Sequence, residues 1–143
     1  MGKMVHLIKL SVGSESVDTL RHWQQERAKL QPDGLYYHVT RMWPRREADV
    51  LAGGSIYWVI KGEVQARQRV LRFDEKIGQD GIRRCGFVLD PQIIEVVPTL
   101  KRPFQGWRYL KPEDAPRDLP KDRRTEPPLP VALNRALAEI GVL

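Results

Sequence analysis

The chain has 143 residues, 41% of them apolar and 29% charged, which suits one globular domain and excludes both a fibrous repeat and a wholly disordered polymer. Lys plus Arg number 24 against 18 for Asp plus Glu, a net charge of +6, so polyanions are the first partners to consider. The longest apolar run, Ile56 to Ile60, is far short of the roughly 20 residues that cross a bilayer, and the N-terminus has no signal-peptide pattern; a cytoplasmic protein with no membrane partner is expected. One cysteine, Cys85, makes neither a disulfide nor a multi-thiolate metal site, and His6, His22 and His38 are too scattered for a ligand motif. No metal and no cofactor is expected.

In chain order, Val5 to Val12 alternates and reads as a first strand. Ser14 or Ser16 then caps a helix of about residues 16–30, with Val17, Leu20, Trp23, Arg27 and Leu30 at helical spacing before Pro32. Leu35 to Met42 is aromatic and β-branched, a second strand ended by Trp43-Pro44, and Pro44 to Leu51 suits a short helix. Ser55 to Ile60 is apolar on both faces, as a central strand requires, and Lys61-Gly62 is a two-residue hairpin connection. On the returning strand Val64, Ala66 and Val70 share a face with Gln68, and the phase flips at Leu71 and Phe73, the mark of a β-bulge. A turn-rich stretch from Asp74 to Gly81, a strand through Cys85, Phe87 and Leu89, the Asp90-Pro91 turn and a strand from Ile93 to Val97 follow.

These elements, about six strands, predict an α+β fold: a small mixed, mainly antiparallel β-barrel with a helix near the N-terminus. Six prolines from Pro112 to Pro130 mark residues 112–143 as an extended arm on a core of residues 1–111, all within one domain. Leu133, Leu137 and Ile140 place a short amphipathic helix at the end of that arm.

The charge is localised. Residues 1–40 carry 5 basic and 4 acidic groups, residues 112–143 carry 5 and 6, and residues 41–111 carry 14 and 8. A basic centre between near-neutral ends suits a phosphate-binding face, although solubility alone also accounts for such an excess. Three features in that segment are candidates. Gly53-Gly54-Ser55 is a glycine turn whose backbone amides suit a phosphate, or a plain tight turn. Gln65, Arg67 and Arg69 share a strand face, with Arg41, Lys61 and Arg72 near strand ends; the alternative is a solvated face balanced by Glu63. Phe104, Trp107 and Tyr109 alternate with Lys101, Arg102, Arg108 and Lys111, rings for bases beside cations for phosphates, unless Trp107 fills the core. The expected nucleic-acid-binding set is therefore Arg41, Gly53, Gly54, Ser55, Lys61, Gln65, Arg67, Arg69, Trp107, Arg108 and Tyr109. Cys85, sharing a face with Phe87 and Leu89, reads as a small core residue.

The stretches GGSIYWVIKGEVQARQRVLRF, RRCGFVLDPQIIEVVP and RPFQGWRYLKPEDAP, with VHLIKLSVG and HVTRMWP before them, resemble a bacterial family of short proteins of unknown function. More distantly, the order of glycine turn, arginine-bearing strand pair, Leu-Asp-Pro turn and Gly-x-Trp segment is similar to PUA-like barrels, including the ASCH and EVE groups. That second resemblance implies a non-catalytic module binding RNA or a nucleoside-bearing ligand. It also implies an alternative, a small amidohydrolase acting on a modified nucleoside, for which Lys61 and Glu63 are candidates and Thr40 the nearest threonine. A third expectation is a protein-interaction adaptor working through the C-terminal helix.

Overall fold

The computed structural model describes residues 4–120, so the helix predicted around Leu133, Leu137 and Ile140 lies outside the described residues. In chain order the elements are β1 (His6–Leu10), α1 (Val17–Ala28), β2 (Tyr36–Thr40), α2 (Glu47–Leu51), β3 (Ser55–Ile60), β4 (Glu63–Ile77), β5 (Arg83–Leu89), β6 (Ile94–Leu100), β7 (Trp107–Leu110) and a 3-10 turn, Pro112–Asp114. The seven strands form one sheet in the order β2-β5-β4-β3-β1-β7, with β6 also on β4. Only β1 and β3 run parallel among these pairings.

The Lys61-Gly62 turn joins β3 to β4 with positive φ at both residues, 50° and 79°, the geometry a two-residue hairpin demands. β4 is 15 residues long and serves two neighbourhoods. Its first part lies between β3 and β6; beyond a register shift between Val70 and Arg72 it pairs with β5. The bulge expected from the phase flip at Leu71 and Phe73 is therefore present, and it bends the sheet. The stretch from Asp74 was expected to turn, but β4 continues to Ile77, because Asp74, Glu75 and Lys76 pair with Gly86, Cys85 and Arg84. Charged side chains at the outer end of a ribbon cost little, so the strand persists until the glycines at 78 and 81.

The sheet does not close into the expected barrel. β2 and β7 remain its two ends, and what joins them is a side chain: Trp107 Nε1 donates to Met42 O at 3.0 Å, just past β2. Beyond Thr40 the chain leaves β2 and runs into Trp43-Pro44, where the proline has no N–H with which to extend a ladder toward β7.

Paired positions across the strands share a face. Lys9 stands opposite Trp58 and Trp107, which assigns these to an inner face; Ile8 opposite Tyr57 and Arg108, and Tyr57 opposite Arg67, define an outer one. The larger core lies on the inner face, where Leu7, Ile56, Trp58, Phe87 and Trp107 pack with Val17 and Leu20 of α1. A smaller outer core joins Ile8, Tyr57, Val59, Val64, Val96 and Phe104.

Helix α1 starts at Ser16, whose Oγ accepts from Thr19 N at 3.1 Å. Its buried positions are Val17, Leu20 and Gln24 rather than the stripe through Trp23 and Leu30. The reason is a buried amide pair: Gln24 and Gln68 exchange hydrogen bonds of 2.7 Å in both directions. Gln68 Oε1 also accepts from Trp58 Nε1 at 2.8 Å, and Gln68 Nε2 donates to Asp90 O at 3.0 Å. With its polar atoms satisfied, a glutamine can occupy the apolar face of β4, and the helix rotates to meet it.

Candidate nucleic-acid interface

The expected site residues divide between the two faces. Arg67 pairs with Tyr57 and Arg69 with Ser55, and Arg108 with Ile8, so these three arginines lie on the outer face. Trp107 and Tyr109 pair with Lys9 and Leu7 on the inner face. Alternation, period two along a strand, forbids Trp107 and Arg108 from sharing one wall. Trp107 therefore shares no wall with these arginines, whereas Arg108 and Tyr109 both border a cavity of about 350 Å³ together with Lys101 and Lys111.

The individual environments explain the separation. Trp107 is 7% exposed and packs edge-on against Phe87 and Tyr109, the core role weighed in the sequence. Tyr109 is more open, and its hydroxyl accepts from Arg46 N at 3.0 Å. Arg108 is exposed over the Phe104 ring, 4.9 Å from the centroid. Gln65 Nε2 donates to Ile60 O at 2.8 Å, Lys61 is exposed at the hairpin tip, and Arg41 is exposed after β2.

The glycine turn is a packing device. Gly54 N donates to Val50 O at 2.7 Å and Ser55 N to His6 Nδ1 at 2.9 Å, so two of the three amides read as a phosphate cradle are engaged internally. A Cβ on Gly54 would stand 2.6 Å from Val50 O and closer still to Val5 O, which explains the glycine without a ligand. Burial, then the nearby Arg67 charge, lowers the pKa of His6 from 6.5, leaving Nδ1 a free acceptor for the Ser55 amide.

Arg67 is likewise committed. Its Nε and Nη2 each donate at 2.7 Å to the two oxygens of Asp118, while Nη1 donates to Ser55 Oγ at 2.9 Å. Beside it a polar cavity of about 420 Å³ is lined by Gly53, Arg67, Arg69, Asp90, Gln92 and Ile94.

A different constellation, assembled from α1 and β2, went unpredicted. A groove of about 630 Å³ runs along the β2 edge, lined by Trp23, Arg27, Leu30, Gln31, Tyr36, Tyr37, His38, Val39 and Lys76. Trp23 is 40% exposed, stands edge-on to Tyr36 at 5.3 Å, and has the Arg27 guanidinium 4.3 Å above its ring. The Lys76 ammonium lies 3.9 Å from the Tyr37 centroid. Tyr37 is fixed by donating to Asp33 Oδ2 at 2.6 Å and accepting from Arg72 at 3.0 Å; the Asp33 bond raises the phenol above its usual pKa. His38 reaches the inner face, T-shaped against Trp58 at 5.4 Å, and its buried Nε2 has no hydrogen-bond partner among the described residues. Burial, followed by the Lys9 charge, brings His38 down to about 4, so the ring is neutral at pH 7. Because β2 ends the sheet, one side of its backbone is outside the ladder and borders this groove.

Among the described residues no group of three His, Cys, Asp or Glu side chains is placed to hold a metal, and no helix is long and apolar enough to cross a membrane. Lys61, Glu63 and Thr40 line neither the groove nor the outer cavity, and Thr40 Oγ1 accepts from Met42 N at 3.5 Å.

The chain is thus an α+β protein with a bent, open mixed sheet, a cationic aromatic groove at one edge and a polar cavity on the outer face. It belongs to the family described as "Protein of unknown function (DUF1489)", whose model matches residues 7–143. Comparison with curated proteins and with solved structures finds no match.

Proposed function

We propose that the chain is a PUA-like, non-catalytic module that binds single-stranded RNA or another nucleoside-bearing ligand, with the base seated in the β2 groove. The observation that carries this reading is the joint placement of exposed Trp23 and fixed Tyr37 with Arg27 and Lys76 in one ligand-sized depression. Rings offer stacking surfaces to any base, the two cations neutralise phosphates, and the unladdered side of β2 offers amides and carbonyls to a base edge. The bent sheet with its ends brought together supports the PUA-like assignment.

The test is fluorescence anisotropy with a labelled single-stranded RNA over a salt series. Trp23→Ala is expected to weaken binding about 5- to 160-fold with little change in salt slope, since one base–ring stack is worth about 1–3 kcal/mol. Lys76→Ala is expected to lower the slope of log affinity against log salt by about one. An absence of binding at low salt, or affinities unmoved by both substitutions, overturns the reading.

A further inference from the structure

We propose that the cavity between β6, β7 and the 3-10 turn is a binding site for a phosphate monoester. It holds about 350 Å³ and shares no lining residue with the β2 groove, so it stands apart from the reading given above. Lys101, Arg108 and Lys111 line it, and among the described residues none of these side chains has a hydrogen-bond or ion-pair partner. Asp114 lines the same cavity and forms no ion pair with them.

Two of the cations converge on one ring. Arg108 lies 4.9 Å from the centroid of Phe104 and Lys101 reaches the same ring at 5.8 Å, while Phe104 itself is buried in the outer core. The Lys101 backbone is fixed as well, its N–H donating to Gly62 O at 2.9 Å. Cations gathered in this way repel each other with no carboxylate between them, and an anion seated in the cavity relieves that repulsion. Three cations against one carboxylate leave a surplus of two positive charges. A phosphate monoester carries about −1.5 to −2 at pH 7 and balances that surplus, whereas a diester carries a single charge and leaves it half met.

The cavity also has an apolar floor. Ile8 and Val64 are buried and Leu110 half-buried, whereas Arg108 and Lys111 are exposed at the rim. The organic body of the ester rests on that floor while its phosphate meets the cations, and the volume lies in the range of small-molecule sites, about 300–1,000 Å³.

The test is calorimetric titration of the full chain with phenyl phosphate and with inorganic phosphate. Phenyl phosphate is expected to bind about tenfold tighter, because its ring covers the floor. Lys111→Gln should weaken phenyl phosphate about three- to fivefold and Arg108→Gln about tenfold, while Asp114→Asn should tighten it about two- to threefold. Lys111 is fully exposed, so its replacement leaves the packing intact. Arg102→Gln, an exposed cation outside the cavity, and Lys76→Ala, in the groove, should each change the affinity by less than about twofold. Displacement of phenyl phosphate by a 5′-phosphorylated RNA decamer, but not by its unphosphorylated twin, places the monoester at a strand end; displacement by neither places it on a small molecule. No saturation by about 20 mM phenyl phosphate, equal affinity for inorganic phosphate, or a loss in Arg102→Gln or Lys76→Ala equal to that in Lys111→Gln overturns the proposal. Trp23 and Lys76 are intact in the cavity variants, so failure here leaves groove binding standing, and failure in the groove leaves this titration standing.

Discussion

Replacing Gln68 by methionine tests whether the buried amide network holds the inner face together. The substitution roughly keeps the side-chain volume while removing four hydrogen bonds, two to Gln24, one to Trp58 Nε1 and one to Asp90 O. Gln24 is 4% exposed and Trp58 3%, so the amide of one and the indole N–H of the other lose their partners out of reach of bulk water. At about 1–3 kcal/mol for each stranded group, less what local relaxation recovers, the loss should be about 3–5 kcal/mol. That is a large share of the ~5–15 kcal/mol that holds a domain folded. In urea, with a slope of about 2 kcal/mol/M, the midpoint should fall by about 2 M at unchanged slope. Adding Gln24→Leu removes one stranded amide and should restore about 1–2 kcal/mol relative to Gln68→Met alone. A single-variant loss below about 1 kcal/mol, or strict additivity of the pair, refutes the network as a cooperative unit. The outcome bears on the proposed groove, because Trp58 supports the ring of His38 in its wall.

Three further outcomes are expected. His38 is brought down to about 4 from 6.5, so between these values the unfolded chain holds a proton that the native chain does not; stability is complete above pH 6.5 and falls by about 3 kcal/mol as pH drops toward 4, with lowered His6 acting in the same direction. Urea midpoints across that range should flatten in His38→Phe, and an unchanged slope with pH would contradict the assignment. Gly54→Ala should cost more than about 3 kcal/mol in thermal or urea unfolding, since its Cβ meets two backbone carbonyls that have no rotamer to retreat into. Cys85 is fully buried and its thiol is raised to about 12, first by desolvation and then by Glu47, so a thiol reagent should label it only in denaturant.

Much of the frame was legible because its cues are local. The alternation before Gly13, the cap at Ser16, the two apolar faces of β3, the Lys61-Gly62 turn and the phase flip on β4 all lie within a few residues of the structure they specify. β7 escaped because four residues are too few for a period and because its rings and cations resemble a binding segment. The rotation of α1 was hidden by Gln24, a polar residue that is buried only because Gln68 receives it across the fold. The sites were harder still. The groove joins Trp23 and Arg27 of a helix, an edge strand and the far part of β4, and the Asp118 partner of Arg67 stands 51 residues later in the chain. No spacing rule connects such residues, since only the bent sheet brings them together.

Among the described residues the first strand finds one of its two neighbours in the last: β1 lies between β3 and β7. During synthesis, this early-made strand therefore keeps one flank bare until residues 107–110 have been added. A fragment that stops short of residue 107 would leave that flank permanently open, inviting the same strand of another molecule. Arrival of β7 thus doubles as a safeguard against aggregation, provided by four residues that also tether the opposite end of the sheet.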